Sequence, residues 1–243
     1  MTSARRRVLI SIAAAFAAAV AIAFMFHLRQ AERIASRPPA QRPSLLLLTS
    51  LPLVFGEHFS LQGTGSPALT ALDTRYRVVP ISVADAAELR KGRLLLMAHP
   101  LAQPAEDLVA LDQWVRNGGR VLLFADPMLE WPSSRRLGDP LRPPPMFMDT
   151  GLLAHWGLRL DAPDVRGPKV EKLGGYEVLT VSPGSLYGGC AISADRLVAH
   201  CRIGKGAATI VADADLLNVQ DLGRGAAHNI DGLLSELARL ERM

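Results

Sequence analysis

The stretch LVALDQWVRNGGRVLLFADPMLEW, residues 108–131, decides how the rest of the chain is read. Leu108, Leu111, Trp114 and Val115 recur at helical spacing and form one apolar stripe. Asn117-Gly118-Gly119 ends that helix, because glycine reaches the left-handed backbone region without a Cβ clash. Val121-Leu122-Leu123-Phe124 is too short for a helix and apolar throughout, which is the pattern of a strand covered on both faces, as in a parallel sheet. Ala125-Asp126-Pro127 breaks the run and sets a carboxylate just past the strand's carboxyl end, the edge where open α/β sheets bind ligands.

Working outward, strand and helix signals alternate from residue 44 to Phe124. Leu45 to Leu48 reads as the first buried strand, closed by Thr49-Ser50-Leu51-Pro52. Ser66-Pro67 opens a helix, since serine caps an amino terminus and proline suits the first turn. Residues 76–81 and 94–98 are two further strands, the latter ended by His99-Pro100, and Pro104 starts the central helix. After Asp126, residues 131–145 are rich in proline and arginine without periodicity, either an ordered loop over the sheet's carboxyl edge or a mobile insertion. Residues 150–156 are read as a helix and 158–160 as a short strand. Residues 170–203 carry short strand candidates between glycine pairs, the pattern of antiparallel hairpins beside the main sheet. Residues 208–212 form another buried strand, followed by Asp213-Ala214-Asp215, and 226–240 an amphipathic closing helix. The expected fold is a three-layer α/β sandwich with a mostly parallel sheet and β-hairpin additions.

The chain has 243 residues, enough for one moderate domain plus an anchor, read as 1–28 anchor, 29–43 linker and 44–243 domain. Residues 8–28, VLISIAAAFAAAVAIAFMFHL, lack charge and have the length of a bilayer-spanning helix. The run is longer than a signal-peptide core and ends in Phe24-Met25-Phe26, so an uncleaved anchor is preferred to a cleaved leader. Arg5, Arg6 and Arg7 before it favour a cytoplasmic amino terminus, although Arg29, Arg33, Arg37 and Arg42 follow on the other side. The formal charge of +4 comes from arginines spread along the chain rather than clustered with aromatics, so no nucleic-acid footprint is present.

Three segments carry a family resemblance: LDQWVRNGGRVLLFADP (111–127), DTGLLAHWGLRLD (149–161) and IGKGAATIVADADLLN (203–218). They resemble the periplasmic domains of gliding-motility-type ABC-transport auxiliary proteins and related bacterial membrane-anchored domains found near MoxR-type ATPases. The resemblance covers roughly residue 44 to the carboxyl terminus. It implies an amidotransferase-like, flavodoxin-like fold, usually without the amidotransferase nucleophile. It also implies an inner-membrane, single-pass protein with a periplasmic carboxyl-terminal domain, partnered by an ABC permease and ATPase or by a MoxR-type ATPase system.

The chemistry-bearing residues are few. Gly63-Thr64-Gly65-Ser66-Pro67-Ala68 matches a dinucleotide fingerprint in form but stands about a dozen residues after the first strand, too far for the motif to work, so no cofactor is expected. The nucleophile turn of an amidotransferase-like fold would fall after residues 94–98, where the chain reads His99-Pro100, and no GxSxG elbow exists. A non-catalytic accessory domain is therefore expected, with an envelope hydrolase as the alternative. Ser50, His99, Asp126 and Asp213 each follow a buried strand, and a parallel sheet would gather them at one edge as a ligand- or partner-binding set. Glu57, His58 and Asp215 fall in loops of the same edge, and the competing reading is that such carboxylates cap helices and turns. No metal site is expected, since neither CxxC nor HExxH occurs. Trp114 and Trp156 sit in apolar helical patterns as packing residues, and Trp131 beside the proline-rich loop is the better contact candidate. Folding residues 190–201, CAISADRLVAHC, about its central turn sets Cys190 opposite Cys201, so the pair is either a disulfide or two small buried thiols.

Overall fold

The computed structural model describes residues 34–55 and 65–243. The proposed anchor at 8–28, Glu57, His58, Gly63 and Thr64 lie outside the described residues. Among those described, no helix is long and apolar enough to cross a membrane.

The strands and helices follow the order β1 (Ser44–Thr49), α1 (Pro67–Arg75), β2 (Arg77–Pro80), α2 (Ala86–Leu89), β3 (Leu94–Ala98), α3 (Ala105–Arg116) and β4 (Arg120–Phe124). Then come α4 (Leu152–His155), β5 (Leu158–Asp161), β6 (Pro168–Leu173), β7 (Tyr176–Val181), β8 (Ser185–Gly188), β9 (Ala191–Ile192), β10 (Val198–Ile203), β11 (Gly206–Val211), α5 (Val219–Leu222) and α6 (Asn229–Glu241). The main sheet has the order β2-β1-β3-β4-β11-β10-β9. Its first five strands are parallel, and β10 and β9 add on antiparallel. An order of 2-1-3-4 extended by one more parallel strand is the flavodoxin-like arrangement, with its topological switch between β1 and β3. Right-handed crossovers then put α1 on one face and α2 and α3 on the other. The contacts agree: α1 packs with the closing helix α6, and α2 packs with α3.

The core is the sheet interior. Leu45–Leu48, Leu94–Ala98 and Val121–Phe124 are all essentially inaccessible, which is why these runs lack any polar alternation. The Asn-Gly-Gly stop works as its sequence suggests. Gly118 has φ +106°, and a Cβ on Gly119 would run into the Trp114 indole, so two glycines let the chain reverse tightly into β4. Ser66 caps α1 by accepting from the Leu69 amide at 3.1 Å.

The differences from the sequence reading sit at element ends. The helix expected at 150–156 shrinks to α4, because the Asp149 carboxylate takes the Gly151 and Leu153 amides and fixes a turn ahead of it. The helix expected at 226–240 starts later, at Asn229, after a 3-10 turn at Gly223–Ala226. The packed unit runs from Ser36 to Met243. Residues 36–43 are tied down by the Arg37 amide on Thr74 O at 2.9 Å and by an Arg37–Glu241 ion pair at 2.8 Å.

The region after β4 divides into small additions. β6 and β7 form one hairpin, and β8 pairs antiparallel with β5. Cys190 and Cys201 are joined as a disulfide with a Cα separation of 4.8 Å. The register Ala191↔His200 and Ile192↔Ala199 brings the two cysteines opposite one another at the sheet's outer edge.

Candidate functional site: the carboxyl edge of the sheet

The topology gathers Ser50, His99, Asp126 and Asp213 at one edge, since β1, β3, β4 and β11 are consecutive parallel strands. What those side chains do there is structural. Ser50 Oγ donates to His99 O at 2.5 Å, and Thr49 Oγ1 to Ala98 O at 2.9 Å, which stitches the ends of β1 and β3 together. His99 has φ +46°, an unusual conformation for a residue with a Cβ. Its ring is fully buried under the proline-rich loop, with Nε2 2.9 Å from Pro144 O. A carbonyl only accepts, so Nε2 carries the proton. Nδ1 is buried without a partner among the described residues. Burial pushes the imidazole pKa down, toward the neutral form.

The acids behave alike. Asp126 Oδ1 accepts from the Met128 amide at 2.8 Å and Oδ2 from the Ala214 amide at 2.7 Å. Asp213 Oδ1 accepts from Leu216 N and Oδ2 from Val181 N, both at 2.8 Å. Asp215 Oδ2 accepts from Glu130 N at 2.8 Å. Together the three carboxylates hold the edge segments in place: Asp126 and Asp215 take amides of the loop after β4, and Asp213 takes the end of β7 and the 3-10 turn at Asp215–Leu217. All three are buried. Burial raises the Asp126 pKa to about 6 against the opposing pull of the amides, and raises Asp215 to about 7, with the charges of Asp126 and Glu130 adding to it. Asp213 is also pushed well up, by burial first and by Asp126 second.

Two participants are not evident from strand ends alone. Glu130 accepts from Ser182 Oγ at 2.5 Å and pairs with Arg166 at 3.3 Å, and the Ser182 hydrogen bond holds its pKa down. Ser182, at φ +50°, itself takes the Gly167 amide at 2.9 Å. Glu130 lies six residues past β4, and only its proximity to the Asp126-Pro127 turn hints at a role at this edge.

The loop over the edge is ordered by short-range bonds. Leu129 N donates to Pro145 O at 2.9 Å, Phe147 N to Asp126 O at 2.6 Å, and Leu141 N to Asp139 Oδ1 at 2.8 Å. With this cover in place His99, Asp126 and Asp213 are sealed from solvent, so none of the three touches a ligand in this conformation. Among the described residues no group of His, Cys, Asp and Glu could hold a metal ion. The open space is beside the buried set. A groove of about 820 Å³ runs between the start of α1 and residues 217–221, with Trp131 and Pro132 on its lining. A second, of about 520 Å³, lies over the ends of β1 and β2.

The model of a family described as an ABC-type uncharacterized transport system matches residues 42–167, just over half of the chain and the whole of β1 through β5. The chain belongs to this family. Its members are auxiliary components of ABC-type transport, so an accessory role in transport follows for this chain. No curated protein matches the sequence. Among solved structures, the N-terminal domain of mmIFT52 is 14% identical, with a TM-score of 0.52 over 80% of this chain and 96% of that one. That likeness shows the fold alone. The exo-beta-1,4-mannosidase Op5Man5 from Opitutaceae bacterium strain TAV5 is 13% identical, with a TM-score of 0.46 over 82% of this chain and 36% of the mannosidase. The chain therefore spans about a third of that enzyme's length. Cytoplasmic protein STM3548 from Salmonella typhimurium is 10% identical, with a TM-score of 0.47 over 82% of this chain and 98% of its own. No argument rests on the last two.

Proposed function

We propose that this protein is a membrane-tethered, non-catalytic accessory domain of an ABC-type transport system, acting by binding rather than turnover. In this reading residues 8–28 span a bacterial inner membrane once, the packed unit from Ser36 stands in the periplasm, and the partner is a permease–ATPase complex or a MoxR-type ATPase system. One observation carries the non-catalytic part. At the edge where this fold class holds its ligands and reactive groups, the carboxylates of Asp126, Asp213 and Asp215 are occupied by backbone amides of the molecule's own loops. His99 occupies the strand-to-helix turn where a nucleophile would stand, with Nε2 engaged by Pro144 O and the ring sealed. Catalysis needs a base or nucleophile within reach of a substrate, and these groups face protein instead. In this reading Ser50, His99, Asp126 and Asp213 are the frame that holds the edge loops in a binding shape.

Alkaline phosphatase fused after Met243 tests the topology, and its activity is the expected result. Activity of a cytoplasm-only reporter alone would reverse the orientation. Purification of the full chain from its own membranes is expected to bring down transporter subunits and to show no turnover of ester, amide or glycoside substrates. Turnover that disappears in His99→Ala would replace this reading with the envelope-hydrolase one.

A further inference from the structure

The exposed apolar side chains are concentrated at the carboxyl edge. Phe55 follows β1, Leu101 follows β3, and Leu137, Leu141, Met146 and Met148 all lie in the loop after β4. Leu137 and Leu141 are 80% and 68% exposed. Single exposed apolar residues are ordinary, but a cluster beside a groove marks a contact surface. The groove of about 520 Å³ is such a place. Buried Leu47 and Leu51 give it an apolar floor, Phe55 and Ile81 come from the β1 and β2 side, and Arg135 and Leu141 from the loop after β4. That loop is one-sided in charge. Residues 131–145 hold Arg135, Arg136 and Arg142 against a single acid, Asp139, which pairs with Arg135 at 3.4 Å. Arg142 donates to Arg135 O at 2.6 Å, while Arg136 is exposed and makes no ion pair among the described residues.

We propose that this groove is a docking site for an extended acidic–apolar segment of a protein partner. One bulky apolar side chain seats against Leu51, Ile81 and Leu141, and neighbouring carboxylates face Arg135 and Arg136. An apolar anchor in a desolvated pocket with a charged rim is the usual division of labour at interfaces, the pocket giving affinity and the rim giving selection and on-rate. Two features choose this occupant. The site is a concave groove with Arg135 among its lining residues, which suits one inserted apolar side chain flanked by carboxylates. A second copy would set the same arginines against each other. The proposal rests on the accessory-protein reading for the partner's identity, though not for the chemistry of the groove.

The test is p-benzoylphenylalanine in place of Leu141 in the full chain, photo-crosslinked in cells, with the crosslinked peptide identified by mass spectrometry. The same probe in place of Val170, exposed on the β6 hairpin, is the control. The expected product from position 141 is a transporter-subunit peptide with acidic residues flanking an apolar one. Its yield should fall about tenfold in Arg135→Glu/Arg136→Glu and persist in Arg135→Lys/Arg136→Lys, as charge steering requires. Crosslinks only to lipid, to a second copy or to a segment without acids, no crosslink at all, or a yield indifferent to charge reversal would each overturn the groove. An acidic segment from a protein outside any ABC system would uphold the groove and reject the transport reading. A transporter crosslink from position 170 with none from 141 would do the reverse.

Discussion

Two buried acid environments in this molecule are built on opposite principles. At the carboxyl edge Asp126, Asp213 and Asp215 are stabilised by backbone amides, and among the described residues the cation Arg166 pairs with the outlying Glu130 instead. On α6, Glu236 is just as buried but meets Arg239 at 2.8 Å and His200 at 3.2 Å. The outcome differs in sign. Burial wins at the edge and the carboxyl pKa values rise. At Glu236 burial is the largest single influence, yet the hydrogen bonds and charges of His200 and Arg239 together outweigh it and the pKa falls. At the edge the amide dipoles pull the pKa values down but do not offset burial, whereas at Glu236 the Arg239 charge and the side-chain hydrogen bonds do.

The largest effect that would break this comparison is Asp213→Ala. It strands the amides of Val181 and Leu216 in a buried site, a loss of roughly 2–4 kcal/mol in chemical denaturation. Asp213→Asn keeps one acceptor and cannot ionise, so it should cost about half as much. An equal loss would mean that charge, not amide satisfaction, is what Asp213 supplies. Next comes Glu236→Gln, expected to cost about 1–2 kcal/mol, at the low end for a broken buried pair because Arg239 and His200 are each about a third exposed.

The pH dependence separates the two environments by direction. Folded-state pKa values of about 6 for Asp126 and about 7 for Asp215 lie above those of an unfolded chain. Their contribution is therefore fully present below about pH 4 and is lost as pH rises through 6 to 7. Glu236 runs the other way, its contribution present above its unfolded pKa and lost as pH falls through the depressed folded value. Melting temperatures between pH 5 and 8 should decline with pH, and Asp215→Asn should flatten that slope while Glu236→Gln leaves it unchanged. The smallest effect is ionic. Added salt should shrink the Glu236→Gln difference by a few tenths of a kcal/mol, because Arg239 is partly exposed, and leave the Asp213→Ala difference alone.

Much of this frame was legible in the sequence. The β3 run at 94–98, the Ser66 cap and the Asn-Gly-Gly stop are local signals, and each maps onto its element as read. The edge position of Asp126 and Asp213 also follows from strand ends. Their bonding does not. Asp126 caps Ala214, 88 residues away, and Asp213 caps Val181, 32 away, contacts that depend on β4 lying beside β11 and on the end of β7 packing against the turn after β11. No local pattern encodes strand adjacency across so long a connection. Trp156 shows the same limit on a smaller scale. Its apolar setting was readable and it is buried, but its indole also donates to Asp112 at 3.0 Å, from a helix 44 residues earlier.

The clamp on residues 36–43 has a mechanical consequence. Arg37 grips Glu241 at the end of α6, and Arg120 at the start of β4 donates to Glu241 O at 3.0 Å, so the chain's entry, the closing helix and a central strand meet at one point. A pull applied at residue 36 loads that knot first and then β1. β1 is bonded to β2 on one side and β3 on the other, so the force shears two ladders at once instead of unzipping one bond at a time. A pull along β1 from this corner would meet two hydrogen-bonded ladders loaded side by side.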